Sequence, residues 1–129
     1  MNKASFADII REKGELIYTC AGNSMNPLIH EGDLVVIKAV SAPLKKYDVP
    51  LYRRDSGQYV LHRIIGVRKN DYLLCGDNRF RKESGITDRH IIGVLTAVVR
   101  NGKTVPVNGK RQFLYRHTLF LRRIIKRLF

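Results

Sequence analysis

The sequence predicts a mainly β fold, a small antiparallel barrel or roll with a short N-terminal helix and a basic C-terminal helix. Three observations carry that reading. Short stretches rich in Val, Ile, Leu and Tyr recur about every 8–12 residues, punctuated by Gly, Pro, Asn and Asp, the spacing of a compact all-β domain. Helical periodicity is confined to the two ends. A length of 129 residues with 44% hydrophobic content fits one domain with one core and excludes global disorder.

The elements follow in order. Ser5 with Asp8 three residues on reads as a capped helix start, with Phe6, Ile9 and Ile10 on one face and Gly14 as its stop. Leu16 to Ala21 reads as a strand, Gly22 to Gly32 as a loop, and Asp33 to Val40 as a strong strand. Ser41 to Lys46 is a polar connection containing Pro43. Val49 to Arg53 and Gln58 to Val67 form a predicted hairpin closed by Asp55-Ser56-Gly57, and Pro50 marks its first arm as an edge or bulged strand. Tyr72 to Cys75 is a short strand. Residues 79–88 are polar and read mostly as loop. Ile91 to Arg100 is a further strand, and Asn101-Gly102 turns it into Thr104 to Val107. From Gln112 to Phe129, residues Phe113, His117, Phe120, Leu121, Ile124 and Leu128 recur at helical spacing. The chain therefore divides into a β domain over 1–109, including the short helix, and a basic amphipathic helix over 110–129.

Charge is the unusual feature. Twenty-four Lys and Arg against eleven Asp and Glu give +13, a balance that suits anionic partners such as nucleic acid or an acidic membrane. Residues 110–129 hold seven basic residues and no acidic one, so more than half of the excess sits there. Apolar residues are too plentiful in that tail for a phosphate-binding arm, which argues against nucleic acid and leaves packing on the sheet, binding to an anionic membrane surface or docking to a partner. The first fourteen residues lack the apolar stretch of a secretory signal, and no window is apolar enough for a transmembrane helix. The expected location is therefore cytoplasmic, or peripheral at the cytoplasmic membrane. Cys20 and Cys75 form no CxxC and read as buried thiols; neither a metal site nor a cofactor is expected.

Three segments carry candidate chemistry. In Gly22-Asn23-Ser24-Met25-Asn26-Pro27, Ser24 lies in a tight loop before a buried strand, a placement that suits a nucleophile and equally suits a plain turn residue. In Leu61-His62-Arg63-Ile64-Ile65-Gly66, a strand alternation puts His62 with Val60 and Ile64, where it reads as a core histidine or as a general base near neutral pH. In Gly76-Asp77-Asn78, and again at Asp88 before Gly93, a carboxylate is available to orient an imidazole; the plainer reading of Gly-Asp-Asn is a β-turn.

Taken together, these segments resemble the superfamily of type I signal peptidases and LexA-like self-cleaving repressors. Five motifs occur in order across about residues 16–99: Gly22 to Pro27, Gly32-Asp33, Leu61 to Gly66, Gly76 to Asn78, and Asp88 to Leu95. The resemblance implies a barrel or roll of the signal-peptidase type. It also implies a serine endopeptidase with Ser24 as nucleophile and Met25 and Pro27 beside the substrate. Where the housekeeping bacterial enzymes and the repressors place lysine, this chain has His62, like the signal peptidases of the endoplasmic reticulum and archaea. The resemblance thus points to a Ser-His mechanism completed by an acid, with Asp77 and Asp88 ranked equally and Glu83 third. Two departures stand out. Gly22 takes the place of a hydroxyl residue that helps the oxyanion hole in bacterial enzymes, and Tyr47-Asp48 replaces a usual Gly-Asp.

The function expected is cleavage of leader or signal-type peptides carrying small residues before the cut. The alternatives are a catalytically inactive β-domain that binds peptides or a membrane surface and, in third place, a basic nucleic-acid-binding domain.

Overall fold

A computed structural model describes residues 5–107, and the predicted tail helix together with the division at 109/110 falls outside them. The fold is mainly β; the described residues form one α-helix and two curled antiparallel sheets. Helix α1 (Phe6–Lys13) begins at Ser5, whose hydroxyl accepts from the Asp8 N–H while the Asp8 carboxylate accepts from the Ser5 N–H, and it ends at Gly14 in the left-handed conformation. Its buried Ile10 anchors it on the larger sheet.

That sheet is ordered β1 (Glu15–Thr19), β2 (Leu34–Lys38), β8 (Ile91–Arg100), β3 (Pro50–Arg53), β4 (Tyr59–Leu61). β8 is its long central strand. β2 runs along one flank, and β3 followed by β9 (Lys103–Pro106) along the other. The Asn101-Gly102 turn joins β8 to β9, with both residues at positive φ as a two-residue hairpin requires. The smaller sheet is β5 (Arg63–Val67), β6 (Tyr72–Cys75) and β7 (Glu83–Ile86). The buried apolar residues form two clusters, the second of which joins β3 and β4 of the larger sheet to the smaller sheet. One gathers Ile10, Leu16, Met25, Val35, Ile37 and Val98; the other gathers Tyr52, Val60, Ile64, Leu74 and Ile86.

Four details differ from the sequence reading. The stretch 79–88 contains strand β7, followed by a 3-10 turn at Asp88–His90; its polar residues are exposed on an outer strand, so no apolar alternation announces it. Gln58 to Val67 is not one strand but two, β4 and β5, which belong to different sheets and meet at His62. Pro50 is the first residue of an interior strand, so of the two readings, edge or bulged, the edge is corrected and the bulge stands. Proline is tolerated there because it opens β3, and the register with β8 shifts between Leu51 and Tyr52. Cys75 is buried but Cys20 is only half-buried.

Candidate active site

The break between β4 and β5 sets the geometry. Strand pairing in the smaller sheet places Arg63 opposite Cys75, so one step further the register brings His62 alongside Gly76. A Cβ built on Gly76 would stand 2.7 Å from the Ser24 carbonyl oxygen and 3.1 Å from His62 Nε2. No side chain fits there, and glycine is what allows the loop of Ser24 and the ring of His62 to close on the same point.

The Ser24 loop is held from both ends. On one side, the Asn78 N–H donates to the Ser24 carbonyl at 2.8 Å. The Asp77 N–H reaches Met25 Sδ at 3.4 Å, and the Arg79 guanidinium donates to Asn23 Oδ1 at 2.7 Å. On the other side, the buried Asp33 carboxylate accepts from the His30 N–H at 2.8 Å and from Arg100 at 2.7 Å, while Arg100 also donates to the Leu28 carbonyl. Hydrogen bonds from Arg100 hold the Asp33 carboxyl below its usual range despite its burial. Met25 is buried in the core beneath the loop, and Pro27 follows a cis peptide bond. Gly32-Asp33 and Gly76-Asp77-Asn78 are thus the two clamps of the Ser24 loop.

Ser24, Met25 and His62 line one cavity of about 390 Å³. It runs between the end of β1 and strand β4, the two outer strands of the larger sheet, with Leu51, Val60 and Leu61 on its apolar wall. Phe6 of α1 lies against Tyr18 of β1 and Tyr59 of β4, with ring centroids 5.2 and 4.7 Å apart, and all three rings line the cavity.

The two nitrogens of His62 face different surroundings. Nε2 points toward Gly76 and the Ser24 loop, whereas Nδ1 lies 3.5 Å from the hydroxyl of Tyr52. That hydroxyl donates to Glu83 Oε1 at 2.7 Å, and Glu83 is gripped by Arg54 through 2.8 and 2.9 Å bonds. Burial lowers the imidazole pKa to about 4; Arg54 and Arg79 push it the same way, and Glu83 opposes them. The ring is therefore neutral at pH 7, with a lone pair available to accept a proton. Burial alone would raise the Glu83 carboxyl, but the hydrogen bonds and charge of Arg54, together with the Tyr52 hydroxyl, outweigh it and keep Glu83 ionised. Burial and the bond to Glu83 hold the Tyr52 phenol far above its usual range, so it stays protonated.

The other acids singled out from sequence are engaged elsewhere. Asp77 takes a bidentate grip from Arg63 at 2.9 Å on each oxygen, and both side chains are only 2% exposed. Asp88 accepts the hydroxyl of Tyr72, on the central strand of the smaller sheet. His90 is buried with both nitrogens used: Nδ1 accepts from the Thr87 N–H, and Nε2 lies 3.0 Å from Asp55. Sequence reasoning gave Tyr52, Arg54 and Arg79 no role. Tyr52 reads as one more apolar strand residue, and nothing in its spacing reveals a partner 31 residues away.

The Peptidase S24-like family model matches residues 3–110. The chain belongs to that family. Membership places it among the serine peptidases, a class of hydrolase. No curated protein matches the sequence.

Proposed function

We propose that this S24-like chain cleaves peptide bonds with Ser24 as nucleophile and His62 as general base, on leader or signal-type peptides. The observation that supports the reading is that Ser24 and His62 line one cavity and flank Gly76, where an added Cβ would stand 2.7 Å from the Ser24 carbonyl oxygen and 3.1 Å from His62 Nε2. In the reaction, Ser24 Oγ attacks the substrate carbonyl carbon as its proton passes to His62 Nε2. The resulting oxyanion is met by the backbone N–H of Ser24. The C–N bond then breaks, the imidazolium returns its proton to the departing amine, and an acyl-serine remains. Water attacks that ester with His62 again taking a proton, and Ser24 is regenerated with a new carboxylic acid.

The cavity between the outer strands β1 and β4 suits an extended peptide, whose backbone can pair with a strand edge. Met25, Leu51 and Leu61 offer short apolar walls next to the nucleophile, in keeping with small side chains before the cut. Among the described residues no helix is long and apolar enough to cross a membrane.

The test is incubation of the full chain with a library of extended peptides, followed by mass spectrometry of the products. The expected result is cleavage after small residues that disappears in Ser24→Ala and His62→Ala. Cleavage that survives Ser24→Ala would remove the proposal.

A further inference from the structure

We propose that Tyr52 is the positioning residue of the site, linking His62 Nδ1 through its hydroxyl to the Glu83 carboxylate in place of a direct histidine–aspartate bond. This rests on the reading of Ser24 and His62 as nucleophile and base. The order of the hydrogen bonds is fixed by chemistry. Glu83, ionised and held by Arg54, can only accept, so the Tyr52 proton goes to Glu83 Oε1 at 2.7 Å. The phenol oxygen is left as an acceptor, and the group facing it at 3.5 Å is His62 Nδ1. Nδ1 therefore carries the imidazole proton, and the lone pair sits on Nε2, the nitrogen turned toward the Ser24 loop. When Nε2 takes the serine proton, the positive ring faces a phenol oxygen backed by a carboxylate, and the 3.5 Å contact shortens.

The position of Tyr52 makes it rigid enough for the task. Its ring, on β3 of the larger sheet, is fully buried in the apolar cluster between the two sheets, with Val60 and Ile64, and it meets the His62 ring edge-on at 6.5 Å. The charged groups that act on His62 are Arg54, Glu83 and Arg79, while the titratable Tyr18, Cys20 and Tyr59 line the same cavity. Glu83 is the carboxylate among them, because Asp77 is committed to Arg63.

The experiment reads the full-length chain in two ways. The first is the ¹⁵N NMR tautomer of His62 in the wild type at neutral pH, which needs neither turnover nor a variant. The expected state is protonated at Nδ1, and a ring protonated at Nε2 would overturn the proposal. The second is turnover of a cleaved peptide. Tyr52→Phe keeps the ring and removes only the hydroxyl; kcat should fall on the order of 10- to 100-fold with KM little changed, and the tautomer should become mixed. Glu83→Gln should lower the His62 pKa further and Arg54→Gln should raise it, opposite shifts that a merely structural role would not produce. A Tyr52→Phe protein with wild-type kcat and tautomer, beside an inactive Ser24→Ala, would sink the relay and leave the peptidase reading standing. If Ser24→Ala still cleaves, the peptidase reading fails, and the tautomer measurement still decides the hydrogen-bond order.

Discussion

Two arginine–carboxylate pairs lie close to the candidate catalytic residues, and they differ in almost everything except chemistry. Arg63 and Asp77 are 2% exposed on both sides, joined by two 2.9 Å bonds, and tie β5 to the turn that clamps the Ser24 loop. Arg54 and Glu83 are 31% and 25% exposed; Arg54 lines the cavity, and Glu83 accepts from the Tyr52 hydroxyl that lies 3.5 Å from His62 Nδ1. The first pair builds the frame in which the loop is held; the second adds opposing charges to the burial that lowers the His62 imidazole. A motif aspartate beside a candidate histidine is thus a poor guide to which acid acts on it. A bidentate buried arginine fixes a carboxylate in a scaffold, and a carboxylate that is to tune an imidazole needs a route to one of its nitrogens.

The comparison breaks most visibly on stability. Asp77→Ala strands a buried guanidinium and should cost about 3–5 kcal/mol, whereas Glu83→Ala leaves Arg54 access to water and should cost about 1 kcal/mol. Chemical denaturation of both variants measures the gap. Equal losses would mean that the two pairs carry the same structural load.

Two glycines sharpen the same division. At Gly76 a Cβ meets the Ser24 carbonyl and His62 Nε2; at Gly93 it meets Ile37 at 2.6 Å and the Lys38 carbonyl at 2.7 Å. Gly76→Ala should push nucleophile and base apart and lower kcat/KM by about 100-fold, the scale of a misplacement of about 1 Å. Gly93→Ala should overpack the sheet beneath α1 and cost about 1–3 kcal/mol, with activity per folded molecule retained. Paired unfolding curves and kinetics separate the two effects.

The pH dependence follows from His62. Its pKa falls from 6.5 to about 4 on folding, so between those values the unfolded chain holds more protons than the folded one. Stability should therefore rise with pH through that window. The lowered carboxyls of Asp33 and Asp71 act in the same sense, since their contribution is lost as pH falls through their folded pKa values. The acid limb of kcat/KM should lie near about 4 rather than near 6.5. Kinetics and denaturation over the same pH series check both.

The smallest expected effect lies farthest from the chemistry. Ser5→Ala removes one side of the capping box of α1 and should cost about 1 kcal/mol without altering kcat.

Much of the frame was legible in the sequence because its signals are local. The Ser5–Asp8 box, the Gly14 stop, the apolar run of β2 and the Asn101-Gly102 turn each depend on neighbours a few residues apart. That Ser24 and His62 face one cavity was legible only as a set of motifs in order. Strand β7 was hidden because its residues are polar on an outer strand, and the break at His62 was hidden because Val60 and Ile64 continue one apolar alternation into two different sheets. The link from Tyr52 to Glu83 is a tertiary contact between an apolar strand and a polar one, so neither segment announces it alone.

The most direct measurement of the central claim is mass spectrometry of the full-length chain after reaction with a fluorophosphonate probe. The expected result is a single adduct on Ser24 in the wild type, formed far more slowly in His62→Ala. An adduct on another serine, or labelling of Ser24 at the same rate without His62, would contradict the account.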